Sequence, residues 1–166
     1  MNNFVAFRTI LIKEIRRFTR IWPQTLLPPA ITTSLYFMIF GRLIGERIGN
    51  ISGVSYMDYI VPGIILMSVI SHSYANVVSS FYSTKFQRHI EELLVAPVSN
   101  WVILAGYVCG GVARGLLVGA VVTGISMLFA DISVHNLAVT LAVYFLTATL
   151  FALAGFINAV FADSFD

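Results

Sequence analysis

Four long apolar runs, broken by short polar stretches of different character, dominate the sequence. They cover residues 24–41, 57–80, 102–129 and 137–160. Each is near or above the roughly 20 residues that a helix needs to cross a bilayer. Pro28 and Pro29 fall early in the first run, where missing amide donors cost least. Gly110-Gly111 leaves open whether the third run is one helix or two. Ahead of the runs, residues 3–22 carry a helical repeat. Phe4, Phe7, Leu11, Ile15, Phe18 and Trp22 share one face, with Lys13, Arg16, Arg17 and Arg20 on the other. A basic face opposite an aromatic and aliphatic one predicts an amphipathic helix lying in the membrane interface.

The polar breaks are short with one exception. Arg42, Glu46 and Arg47 mark a loop to about Tyr56, and Asp131 to Asn136 form a turn. Between the second and third runs, however, residues 85–96 are both charged and patterned. Phe86, Ile90, Leu93 and Leu94 recur at i, i+4, i+7 and i+8, one face of a helix, while Lys85, Arg88, Glu91 and Glu92 supply charge. Pro97 ends that helix, because it has no N–H and pushes Ala96 out of the α region. A plain connection between neighbouring helices needs only about 2–8 residues. The extra length predicts a docking element between two membrane spans.

Composition supports a membrane protein. Of 166 residues, 58% are hydrophobic and 11% charged, with a mean hydropathy of +0.86. A soluble domain carries about 25% charged residues. The fold class is therefore all-α and polytopic: one interfacial helix and four transmembrane helices in a single transmembrane domain over residues 1–166. The net charge of +2 is too small to argue for nucleic acid as a partner. The first segment lacks the uninterrupted apolar core and cleavage site of a secretory signal peptide.

The placement of charge predicts orientation. With the N-terminus in the cytoplasm, that side collects Arg8, Lys13, Arg16, Arg17, Arg20, Lys85 and Arg88, against Arg42 and Arg47 outside. This follows the positive-inside rule and places segment 85–96 in the cytoplasm. Arg114, alone in an apolar run, is expected near the cytoplasmic face or snorkelling to it.

Candidate chemistry is sparse. The second run carries Ser68, His72, Asn76, Ser79 and Ser80 as a polar stripe, too expensive to face lipid. It serves either helix–helix hydrogen bonding or the lining of a transport path. Ser68 and His72, one turn apart, also allow a nucleophile–base pair, but no acid stands on the same face to orient it. Gly111, Gly115 and Gly119 repeat at four-residue spacing, which lets helix backbones approach closely. The one cysteine, Cys109, excludes an intrachain disulfide and reads as a small core residue. His72, His89 and His135 fall in different segments, so no metal set is expected. No Gly-x-x-x-x-Gly-Lys-Ser/Thr motif occurs, so any ATP would bind to a partner.

Three features together resemble the type-2 ABC transporter permeases: the basic N-terminal helix, a span opening with Pro62-Gly63, and Glu91-Glu92-Leu93-Leu94-Val95-Ala96-Pro97-Val98-Ser99. Arg114-Gly115-Leu116-Leu117 is similar to the family as well. The chain departs from many members in carrying His89-Ile90 where they have Gly-Thr.

The resemblance implies a bacterial inner-membrane permease subunit of an ABC exporter, not itself an enzyme. The family normally has six spans, so the last two are expected to be missing here. The resemblance further implies a permease homodimer and a separate ABC ATPase that binds ATP and magnesium. Residues 85–96 would be the coupling helix, docking through Phe86, Ile90, Glu91, Glu92, Leu93, Leu94 and Pro97. Ser68, His72, Asn76 and Ser79 would line the pathway, and Gly111, Gly115 and Gly119 would pack helices. A non-transporting membrane scaffold and an intramembrane Ser/His enzyme are the competing readings.

Overall fold

Three of the four apolar runs fold into single helices longer than the membrane is thick. The computed structural model describes residues 3–51, 53–130 and 136–162. The expected turn over 131–135, with His135, and the residues after 162 lie outside that description. After α1 (Asn3–Arg20), α2 (Trp22–Tyr36), α3 (Gly45–Ile48) and two short strands, the long helices are α4 (Tyr56–Phe86), α6 (Asn100–Ser126) and α7 (Leu137–Phe161). The short α5 (His89–Val95) separates α4 from α6. At about 1.5 Å per residue, α4, α6 and α7 measure about 46, 40 and 38 Å, against about 30 Å of hydrocarbon. All three are long and apolar enough to cross it.

The first apolar run is built differently. α2 passes into a π-helical segment, Phe37–Ile44, and then α3, so the backbone stays helical from Trp22 to Ile48. The helical backbone therefore extends past residue 41, the expected end of the first span. Among the described residues, this stretch is not one of the helices long and apolar enough to cross a membrane. The expected loop shrinks to Gly49 and a hairpin of β1 (Asn50–Ile51) and β2 (Val54–Ser55), with Asn50 opposite Ser55. Gly49 and Gly53, at φ +68° and +85°, make the turns that an L side chain resists. Pro28 and Pro29 lie inside α2 rather than in its first turn, because Pro23 already occupies the helix start.

α6 is a single helix through Gly110-Gly111. The core forms two apolar clusters. One gathers Val69, Val77, Phe81, Tyr107 and Ala152; the other gathers Phe37, Val61, Ile65, Val118 and Val122. α7 lays a stripe of small residues, Ala148, Ala152, Gly155 and Ala159, against the bundle. Its opposite face, with Leu146, Leu150 and Ile157, is exposed and apolar, which suits lipid. Lys85 Nζ donates to the carbonyls of Val160 (3.0 Å) and Ala162 (2.7 Å), closing the free end of α7. α5, the start of α6 and the end of α7 thus share one end of the bundle.

α1 lies along the bundle, mainly on α6. Ile10 faces Gly106 and Glu14 faces Gly110, so both helices advance together by one turn. The buried residues of α1 are Ala6, Ile10, Glu14 and Phe18. This corrects the expected apolar face. Phe4 and Trp22 are exposed, and only Phe18 of that aromatic set is buried, because close approach to the α6 glycines favours Ala6 and Ile10.

Candidate functional site

Two surfaces and one buried network carry the polar and exposed apolar side chains that the sequence singles out. The first surface is the arm after α4. The expected continuous helix over 85–96 is corrected: Lys85 and Phe86 end α4, and the chain turns at Gln87-Arg88 before α5. Arg88 takes the left-handed conformation (φ 61°, ψ 7°), uncommon for a residue with a Cβ. Ala96 is extended (ψ 142°) ahead of Pro97, so α5 stops at Val95.

The break also divides the expected single apolar face. Ile90 and Leu93 pack back on the core of their own bundle. Phe86, Leu94 and Val95 are 76%, 63% and 87% exposed, with Glu91 and Glu92 exposed beside them. Leu94 also borders an apolar cleft of about 480 Å³ between α5 and the ends of α4, α6 and α7, lined by Phe81, Trp101, Phe156 and Val160 among others. α5 is thus anchored by one pair of apolar residues and displays another.

The second surface is a cleft of about 590 Å³ between α2 and α4. Ser68, Ser71, His72, Thr32 and Thr33 give it a polar side; Pro28, Pro29, Ile60, Ile64 and Met67 give it an apolar one. Ser68 Oγ donates to the carbonyl of Ile64 (3.0 Å), not to His72, so the serine–histidine pair is not assembled. Among the described residues no three His, Cys, Asp or Glu side chains gather to hold a metal.

The polar stripe of α4 therefore splits. Ser68 and His72 reach the cleft, whereas Asn76 and Ser80 turn toward α1 and α6. Ser79 donates to the Asn76 carbonyl (3.2 Å) and stays local. Asn76 is fully buried, and its Oδ1 accepts from Arg17 Nη2 of α1 (2.7 Å) and from Arg114 Nη1 of α6 (3.3 Å). Arg17 also donates to the Asn76 carbonyl (3.0 Å). Glu14, fully buried, accepts from Ser80 Oγ (2.6 Å) and pairs with Arg17 at 3.3 Å.

Arg17, 31% exposed, is thereby drawn from the expected basic face into the network, and Arg114 turns its guanidinium to Asn76 of α4. Both are held by a carboxamide that accepts what lipid cannot. Sequence reasoning missed Glu14. Its signal was available: it is the one acidic residue among the first 22, and it stands one turn after Ile10.

The glycines explain how three helices come this close. Gly106 and Gly110 face α1, while Gly111, Gly115 and Gly119 face α4. A Cβ at Gly115 would lie 2.8 Å from Ser73 Cβ and 3.0 Å from the Val69 carbonyl oxygen. A Cβ at Gly110 would lie 2.6 Å from Glu14 Cβ. The four-residue repeat packs helices within one chain.

Residues 5–166 of this helical bundle match the ABC-2 type transporter family. The chain belongs to it. It is 61% identical over 163 residues to the inner membrane transport permease YadH of Escherichia coli K12, and equally to YadH of Shigella flexneri. It is 23% identical over 148 residues to nodulation protein J of Neorhizobium galegae. These alignments cover 98% and 89% of this chain. The chain spans 64% of the length of the YadH relatives and 56% of nodulation protein J. No solved structure matches.

Proposed function

We propose that this chain is the membrane-spanning permease portion of an ATP-driven exporter of the bacterial inner membrane, coupled through α5 to a separate ATPase subunit. The supporting observation is the construction of α5. Ile90 and Leu93 fix it to the bundle, so a push on Leu94 and Val95 is carried into α4 and α6 rather than absorbed by a loose loop. Glu91 and Glu92 on the same short helix suit a basic rim around an apolar socket. ATP and magnesium belong to the partner. In keeping with the family, two permease copies pair. The cleft between α2 and α4, with Ser68 and His72 on its polar side, is the section of the path this chain contributes. Its two-sided lining suits an amphipathic cargo.

The test uses the complete permease and its ATPase, comparing wild type with Leu94→Asp and Leu93→Asp. Leu94→Asp forces a carboxylate into the partner's socket and should abolish retention of the ATPase on the purified membrane subunit while leaving membrane expression unchanged. Leu93→Asp strikes the anchor instead and should lower the stability of the bundle. Equal ATPase retention by Leu94→Asp and wild type removes α5 as the docking element.

A further inference from the structure

The buried network between α1, α4 and α6 holds two guanidinium groups and one carboxylate. We propose that Arg114 is a second cationic partner of Glu14, so that the carboxylate can pass between Arg17 and Arg114 while α1 stays attached to the bundle. This inference does not depend on an ATPase or a cargo.

Four observations carry it. First, the existing ion pair is loose: Arg17 reaches Glu14 Oε2 at 3.3 Å, whereas its 2.7 Å bond goes to Asn76 Oδ1. Charge-assisted N–H···O bonds are usually about 2.7–2.9 Å. Second, Arg114 is underused. Its Nη1 makes a 3.3 Å bond to Asn76, and its buried Nε has no hydrogen-bond partner.

Third, helix register brings Arg114 near the turn of α6 that faces the carboxylate. A Cβ at Gly110 would be 3.8 Å from Glu14 Oε2, and Arg114 is one turn beyond Gly110 on the same face of α6. Side chains of a helix lean toward its N-terminus, so an arginine at 114 covers the turn at 110. Fourth, Asn76 already bridges the two cations through one oxygen, and its own Nδ2 is buried without a partner. The network is short of acceptors, so one carboxylate has two places where it is wanted.

A buried charge left without a partner is costly, whereas replacing a whole charged cluster by apolar residues is often neutral. These two facts define the test. Ile10→Cys in the full chain, with Cys109→Ala, reports whether α1 is docked, because Ile10 is buried against α6. Val69→Cys in the same background reports the integrity of the bundle core. Labelling with N-ethylmaleimide is measured in native membranes.

Arg17→Met and Arg114→Met, each alone, should leave Ile10→Cys as protected as in the parent. Together they should raise its labelling rate roughly tenfold or more, a non-additive effect expected of one shared network. Adding Glu14→Met to the double variant should restore protection, which separates an orphaned carboxylate from a misfolded chain. Val69→Cys should stay protected throughout. If Arg17→Met alone exposes Ile10→Cys as fully as the double variant, Arg114 is no second partner and the proposal falls. It falls equally if the double variant stays protected, or if the triple variant stays exposed.

Discussion

At the scale of single residues, the fold is held by close approaches that a larger side chain cannot share. Gly115 allows α6 to touch the α4 backbone at Val69 and Ser73. Gly115→Val should destabilise the bundle by about 2 kcal/mol or more, as overpacking against backbone does. Gly124→Ala meets nothing within 4 Å and should be neutral. Thermal unfolding in detergent, followed by loss of the monodisperse species, checks both. A second case is Arg88, whose left-handed backbone makes the turn between α4 and α5. Arg88→Gly should be tolerated or slightly stabilising, by about 1 kcal/mol or less, since glycine adopts this conformation without a steric cost. Arg88→Val should straighten or loosen the turn, seen as faster proteolysis at Gln87. The glycine repeat was legible in the sequence because small residues at a fixed spacing have one structural use. The positive φ at Arg88 was not, because nothing in an arginine announces it.

At the scale of elements, the long apolar runs were legible and their margins were not. Hydropathy identifies a span but not where helical backbone ends, so the π-helical stretch and α3 continued a helix that polar Arg42 had suggested was over. Helical periodicity found an amphipathic α5 but carried it across Gln87-Arg88, and so put Phe86 on a face it does not share. α1 gives the clearest lesson. Its charge pattern reads as a basic face, yet Arg17 and Glu14 point inward and complete a network whose other members lie about 60 and 100 residues away. Only tertiary contact reveals that pairing. What remains outside is a groove lined by Lys13, Arg16 and Arg20, with Arg17 at its inner wall. Those three are the residues to test for lipid. Lys13→Gln/Arg16→Gln/Arg20→Gln in the intact protein should reduce co-purifying anionic phospholipid, at about 1 kcal/mol per basic residue near an anionic surface. Undiminished retention of anionic lipid, measured by mass spectrometry of the extracted protein, assigns attachment of α1 to its packed face alone.

At the scale of the whole molecule, the bundle has two unlike ends. One carries α5, the Lys85 cap on α7 and the start of α6; the other carries the hairpin after α3 and the contact of Phe37 with Phe129. The first end has the longer helical protrusion. At about 46 Å, α4 exceeds a 30 Å hydrocarbon layer by about 16 Å, and its last turns are polar, so the excess belongs at that end. Lys85 and Arg88 lie there, and α1 runs along the same half of α6, with Ile10 against Gly106 and Glu14 against Gly110. By the positive-inside rule, α5 is expected in the cytoplasm, on the side of the proposed ATPase, and the hairpin outside. Both surface positions are available for labelling: His89 is exposed at the start of α5, and Val54 is exposed in the hairpin. With Cys109→Ala, Val54→Cys should react with a membrane-impermeant maleimide added to spheroplasts, and His89→Cys should react only after lysis. The ratio of external labelling between the two should exceed about tenfold, because orientation is set for the whole bundle and not helix by helix. The opposite pattern inverts the bundle, leaves α5 on the side without ATP, and removes the basis for coupling through Leu94 and Val95.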